Sequence, residues 1–186
     1  ANLPGSLPCR GRQFERVAKL LGCETSEVVF TSCGTEADST AVWSALRSFP
    51  DKKHVITTKV EHPAVLNVCK HLETQGYRVT YLPVDGKGQI NLEDLKVALT
   101  PETAIVSIMW ANNETGVVFP IEEVGRIVKE KGKGAFFHTD AVQAVGKIPI
   151  NMAASTVDML SISGHKLHAP KGIGVLYVRK GVPFRP

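Results

Sequence analysis

Several signatures are missing from this chain of 186 residues, and each absence narrows what it can be. No apolar run approaches the roughly 20 residues of a membrane-spanning helix, and the N-terminus has no signal-peptide core. No membrane partner is therefore expected. The 4 cysteines, Cys9, Cys23, Cys33 and Cys69, form no CxxC pair, so a zinc site is not expected. Reduced thiols in a cytoplasmic protein are the expectation instead. Basic side chains outnumber acidic ones only 22 to 18 and are scattered without aromatic interleaving, which argues against a nucleic-acid partner. Gly132-Lys133-Gly134 and Gly172-Ile173-Gly174 fit neither a dinucleotide fingerprint nor a P-loop, and the nucleophile elbow of a hydrolase is missing. There is no internal repeat, low-complexity tract or linker.

What is present is the patterning of one globular domain. The chain is 43% apolar with a mean hydropathy of −0.01. Strand and helix signals alternate, which predicts an α/β fold with a largely parallel sheet. Phe14, Val17, Ala18 and Leu21 recur at helical spacing before a stop at Gly22. A strand is predicted over 27–31 and a helix over 35–49. The next strand spans 54–58, and a helix opened by Pro63 ends near Gly76. Further strands are predicted over 77–82, 104–110, 135–139, 157–162 and 174–179. Helices lie between them, a short one capped by Asn91 and a longer one over 121–130. The short connection between the last two strands predicts an antiparallel pair.

The unusual polar residues lie at strand ends, where open α/β sheets collect ligands. Ser163-Gly164-His165-Lys166 follows an apolar run, and Asp140 follows Phe136-Phe137-His138-Thr139. A lysine and a carboxylate so placed are the pair that pyridoxal 5′-phosphate chemistry needs. The amine condenses with the cofactor aldehyde, and the carboxylate keeps the pyridine nitrogen protonated. Asp140 would be costly to bury unpartnered, so either a pyridinium N–H answers it or it caps a helix. Gln143 is within reach of the cofactor's phenolic oxygen. Thr31-Ser32-Cys33-Gly34-Thr35-Glu36 is either an anion cradle, with Gly34 amides and the Thr35 hydroxyl as donors, or a glycine turn with Thr35 as cap. His62 is a ring to stack on a cofactor, a proton carrier or a solvated cap. Asn112, in the polar cluster that follows Trp110, is a donor to a ring oxygen or a substrate carboxylate.

Five ordered motifs carry a family resemblance: Phe30-Thr31-Ser32-Cys33-Gly34-Thr35-Glu36, Val60-Glu61-His62-Pro63, Trp110-Ala111-Asn112-Asn113-Glu114-Thr115-Gly116, His138-Thr139-Asp140-Ala141-Val142-Gln143 and Ser161-Ile162-Ser163-Gly164-His165-Lys166. From about Gly11 onward the chain resembles NifS-type cysteine desulfurases, in the class V aminotransferase group of fold-type I pyridoxal phosphate enzymes. The resemblance implies a three-layer α/β/α large domain with a mostly parallel mixed sheet. It implies that Lys166 holds the cofactor and acts as proton-transfer base, that Asp140 pairs with the ring nitrogen, and that Gln143 and Asn112 contact the ring oxygen. His62 would stack on the ring and share in the catalysis. Gly34, Thr35, Ser163 and His165 would hold the phosphate.

The implied reaction converts L-cysteine to L-alanine and an enzyme persulfide. An iron–sulfur scaffold protein would accept the sulfur, and the full-length family is expected to be homodimeric. The family's N-terminal segment, small domain and catalytic cysteine loop have no counterpart in the sequence. The expectation is one incomplete large domain over 1–186 that is weak or inactive alone. Rival readings are a selenocysteine lyase or another class V enzyme, and a non-catalytic cofactor-binding fragment. A nucleotide-binding domain is disfavoured by the missing glycine fingerprint.

Overall fold

In the computed structural model the described residues run from 7 to 186, with side chains from 11 onward; Cys9 thus lies outside the described side chains. Helix α1 (Leu7–Leu21) ends at the predicted stop, where Gly22 takes φ 65°, a left-handed conformation open to glycine at little cost. There follow β1 (Val28–Thr31), α2 (Gly34–Ser48), β2 (His54–Thr58), α3 (Pro63–Thr74), β3 (Arg78–Leu82), α4 (Leu92–Ala98) and β4 (Thr103–Ser107). The chain continues with α5 (Ile121–Lys131), β5 (Phe136–Asp140), β6 (Met159–Ser163) and β7 (Gly174–Val178). Asn91 caps α4 as predicted, its side chain accepting from the Glu93 N–H at 2.9 Å.

The strands form one sheet in the order β1-β7-β6-β5-β4-β2-β3. Strands β3, β2, β4, β5 and β6 run parallel to one another, while β7 is antiparallel to both β6 and β1. The mixed, mostly parallel sheet is the one the sequence predicts. Strict alternation along the strands fills both faces. Val55, Ile105, Phe136, Met159 and Leu176 pack with α2 and α3. Their neighbours Ile56, Val106, Phe137, Leu160 and Tyr177 pack on the other face with α1, α4 and α5. Helices on both faces give three layers, and the buried aliphatic and aromatic side chains contribute about 1.5–3 kcal/mol each.

Several boundaries shift from the sequence reading by a residue or more, as where β6 starts at Met159 and not at 157, and two of the differences have a local cause. The apolar run over 104–110 leaves the sheet after Ser107. Beyond it, Ile108 and Trp110 donate to the carbonyls of His138 and Asp140, but the intervening Met109 N–H is taken by the Glu61 carboxylate. A side chain there replaces a neighbouring strand. Glu27 sits in a 3-10 turn (Thr25–Glu27) instead of starting β1, because its carboxylate receives the N–H groups of Glu24 and Lys180, each at 2.8 Å.

Candidate active site

The face of the sheet under α2 changes character along the strands. Where β4, β5 and β6 begin, this face carries Ile105, Phe136 and Met159. The next residues on the same face are Ser107, His138 and Ser161, all buried and joined through the imidazole. His138 Nδ1 lies 2.9 Å from Ser107 Oγ, and Nε2 lies 2.9 Å from Ser161 Oγ. At the carboxyl ends of β5 and β6, Asp140 and Ser163 complete the two rows. The start of α2 approaches these ends, so backbone N–H groups and strand-end polar groups open on one cleft of about 260 Å³. Strand order reverses between β2 and β4, and the loops leaving these two strands diverge around the same cleft.

The cleft gathers eight of the nine residues singled out from sequence, all but Asn112. Gly34 opens α2 so close to β6 that a Cβ there would lie 3.2 Å from both Ser163 Cβ and Val142 Cγ2. Glycine therefore lets α2 begin directly against Ser163. Ser163 Oγ is 2.8 Å from His165 Nδ1, which fixes that imidazole over the same end. Thr35 is exposed within the first turn of α2. The N-cap residue is Cys33, which makes no capping hydrogen bond, so the reading of Thr35 as the cap is not met.

Asp140 is 6% exposed, and its Oδ1 accepts from the Val142 N–H at 2.9 Å; among the described residues no donor reaches its Oδ2. No helix directly follows Asp140 among the described residues, so the reading of it as a helix cap is not met; its bond to Val142 holds a local turn, answers one oxygen and leaves the other for the cleft. Burial raises its pKa above the usual carboxylate range, opposed by the Val142 N–H and by His62. His62 is indeed the N-cap of α3, with Nδ1 accepting from the Ala64 N–H at 3.1 Å. That bond puts the neutral ring's proton on Nε2 and holds the ring at the cleft. Gln143 Oε1 accepts from Lys147 Nζ at 2.9 Å, leaving its NH2 group as a donor. Lys166 lies in a 3-10 turn (Gly164–Leu167) directly after β6; it is exposed and has no hydrogen bond or ion pair among the described residues.

Asn112 is the one of the nine that does not line the cleft. Its amide nitrogen donates to Val60 O at 3.0 Å, and its Oδ1 accepts from the N–H groups of Glu114 and Thr115 and from the Thr115 hydroxyl. The same nitrogen also faces Met109 Sδ at 3.4 Å, so the side chain is held by Val60, Met109 and its own loop, outside the cleft. The next residue, Asn113, is exposed and lines the cleft in its place. The adjacent pair offered no sequence signal for choosing between them.

Sequence reasoning also missed two buried acids. Glu61 accepts from the Thr58 hydroxyl at 2.7 Å and from the Met109 N–H at 3.0 Å, and burial pushes its pKa up to about 8. Asp38, on α2, lines the cleft with 1% exposure. Its position in the stripe of Ala37, Ala41, Val42 and Ala45 was the available sign, since that is the inward face of an amphipathic helix. Of the described cysteines, Cys69 is fully buried and its thiol is pushed up to about 12, while burial raises Cys23 to about 11. Cys33 is half-buried at the cleft.

Comparison with known proteins agrees with this geometry. The model of the family "Aminotransferase class-V" matches residues 12–186. A cysteine desulfurase of Trichormus azollae is 69% identical over 172 residues, covering 92% of this chain and 42% of that protein. Cysteine desulfurase NifS of Azotobacter vinelandii is 60% identical over 192 residues, covering 98% of this chain and 47% of that one. Among solved structures, a NifS-like protein superposes with a TM-score of 0.91 at 44% identity, over 100% of this chain and 52% of its own. SspA in complex with cysteine gives 0.89 at 37% identity, over 100% and 56%. This chain thus spans about half the length of these relatives. Among the described residues no helix is long and apolar enough to cross a membrane, and no cluster of His, Cys, Asp and Glu is suited to a metal ion. With its sheet, its strand-end cleft and 175 of its residues (12 to 186 inclusive) matched, the chain belongs to the class V aminotransferase family, among homologues of NifS-type cysteine desulfurases.

Proposed function

We propose that this chain is the cofactor-holding part of a pyridoxal phosphate-dependent cysteine desulfurase. The observation that carries the reading is Asp140, a buried carboxylate with one oxygen unanswered, in the same cleft as an unpaired lysine amine. The donor set fits the cofactor from end to end. The α2 N-terminus, Thr35, Ser163 and His165 suit a phosphate, and Gly34 lets α2 begin close to Ser163. Asp140 suits a protonated pyridine nitrogen, and the NH2 groups of Gln143 and Asn113 suit the ring oxygen. When bound, pyridoxal phosphate supplies an electron-accepting ring that stabilises a carbanion on an amino-acid substrate.

The roles of the chain's own residues follow from position. Asp140 holds the ring nitrogen's proton, and His62 covers the ring and excludes water from that face. Lys166 would anchor the cofactor through its amine and would carry protons at the substrate carbon. The substrate is L-cysteine. Its carbon–sulfur bond breaks, the sulfur passes to a thiol as a persulfide, and protons returned to carbon give L-alanine. The likeness to SspA, whose structure was solved in complex with cysteine, supports this substrate. The raised thiols of Cys23 and Cys69 are poor acceptors, and Cys33, at the N-cap of α2, stands at the phosphate end of the cleft, so the receiving thiol is proposed to lie in the part of the relatives' length that this chain does not span. An iron–sulfur scaffold and a homodimer complete the proposed setting.

The test is borohydride reduction of the protein loaded with pyridoxal phosphate, followed by peptide mass mapping. The adduct is expected on Lys166. Labelling mainly at another lysine would overturn the assignment. Formation of L-alanine from added L-cysteine, with dithiothreitol as the sulfur-accepting thiol, then checks the substrate, since simple condensation of cysteine with the cofactor gives no alanine.

A further inference from the structure

We propose that Asp38 is a positioning residue for Asp140: it keeps its proton at working pH, so that the cleft presents a single negative charge, on Asp140, to the ring nitrogen. The inference rests on the ring-binding reading of Asp140 and concerns a residue that touches neither substrate nor proton in flight. Alternation along β5 places His138 and Asp140 on one face, and α2 lays Asp38 against that face. Asp38 Oδ1 lies 3.6 Å from His138 Nε2, and Asp38 and Asp140 both line the cleft.

The charge state of Asp38 follows from its surroundings. The residue is 1% exposed, and neither carboxyl oxygen has a hydrogen-bond partner. An ionised carboxylate so placed would carry the desolvation cost of a buried charge with nothing to offset it. His138 does not serve as a cation. Its two nitrogens are engaged by the Ser107 and Ser161 hydroxyls, and burial holds its pKa at about 3.

The other titratable groups acting on Asp38 come from every element around it. They are Asp140 on β5, Glu61 between β2 and α3, and the Cys33 thiol at the entry to α2, and all three oppose its ionisation. Only the Ser161 hydroxyl on β6 favours ionisation, and it makes its hydrogen bond with His138 Nε2, not with Asp38. Burial and these neighbours raise the Asp38 pKa well above the ordinary value. Asp140 differs in having the Val142 N–H and His62 on the side of its charged form. One acid therefore keeps its proton and the other gives the charge.

The experiment compares the parent protein with Asp38→Asn, Asp38→Ala and Asp140→Ala. The first measurement is denaturant unfolding of the cofactor-free protein between pH 4.5 and 7. A buried acid that holds its proton in the fold and releases it on unfolding costs stability as pH rises. Asparagine has no such proton. The unfolding constant of Asp38→Asn relative to the parent should therefore fall about tenfold for each pH unit. The second measurement is calorimetric affinity for 4′-deoxypyridoxine 5′-phosphate, which has ring and phosphate but no aldehyde for Lys166. Asp38→Ala, which admits water beside Asp140, should bind about tenfold more weakly. Asn should restore that loss without moving the pH midpoint of binding. The phosphate's own titration is common to all variants and cancels.

A stability difference flat in pH, or an Asn variant as weak as Ala, overturns the inference while leaving the ring reading intact. If Asp140→Ala binds the analogue as the parent does, the ring reading fails and takes this proposal with it. Should Asp38→Ala not fold, the Asn comparison decides alone, because it keeps the side chain's size and needs no cavity.

Discussion

Replacing Asp140 by asparagine should weaken cofactor binding and strengthen the empty fold at the same time. The change preserves size, and the amide oxygen can still accept from the Val142 N–H, which lies 2.9 Å from Asp140 Oδ1. What disappears is the charge beside the ring nitrogen. Leaving a buried pyridinium without its counter-charge costs about 3–5 kcal/mol, so affinity should fall roughly 10²- to 10³-fold or more.

Stability moves the other way. Burial raises the folded-state pKa of Asp140 above its unfolded value. The folded protein therefore holds a proton that the unfolded chain releases. Stability is full below the unfolded carboxylate range and is lost as pH rises toward the folded value, at about 1.4 kcal/mol per pH unit. The amide of Asp140→Asn has no proton to lose, so at pH 7 the cofactor-free variant should unfold at higher urea concentration than the parent, and the gap should close by pH 4. The assay is urea unfolding at these two pH values together with titration of the cofactor's visible absorbance. A variant that binds pyridoxal phosphate like the parent would show that Asp140 only holds the turn at Val142. A variant less stable than the parent at pH 7 would show that its carboxylate is stabilised by partners other than those described.

Three more outcomes follow from the cleft. Asn112→Ala strands three donors and the Val60 carbonyl, so it should lower stability by about 2–3 kcal/mol in urea, whereas Asn113→Ala should leave the unfolding midpoint alone and weaken ring binding about tenfold. Equal effects of the two would remove the distinction drawn between them. In Gly174→Ala the new Cβ would collide with the Cys33 carbonyl carbon and stand 2.5 Å from its oxygen, which is backbone that cannot give way cheaply. The expected cost is about 1–3 kcal/mol, with weaker phosphate binding because the displaced segment begins α2. Thiol labelling at pH 8 with peptide mapping should modify Cys33 ahead of Cys23 and leave Cys69 untouched until unfolding, and bound pyridoxal phosphate should protect Cys33.

The parts of this site legible in the sequence share one property: each is a polar residue directly after a buried apolar strand, or at the start of the helix that follows. Asp140, Ser163 and Lys166 stand out because a strand filled on both faces leaves no ordinary reason for such groups at its end. Gly34 and His62 are marked by the helices they open. The rest was hidden because it depends on tertiary partners. Nothing local tells Asn112 from Asn113, since the choice rests on which amide the Val60 carbonyl meets across 52 residues. Glu61 ends the pairing of the segment after β4 by taking the Met109 N–H, and no periodicity in either segment announces it. Asp38 reads as a mistake in an apolar stripe until the sheet beneath it is known.

That sheet ties folding to chemistry through register. One face runs from Ile105, Phe136 and Met159, through Ser107, His138 and Ser161, to Asp140 and Ser163. Hydrophobic filling thus gives way to a hydrogen-bonded layer and then to the cleft. A slip of β5 by one residue would carry Phe137 and Thr139 to the α2 face and send Asp140 to the opposite side. The same slip would break both His138 hydrogen bonds and drive its imidazole among the apolar side chains around Leu160 and Tyr177. The cost of burying those groups unpaired, several kcal/mol, makes the well-packed register also the one that delivers Asp140 to the cleft.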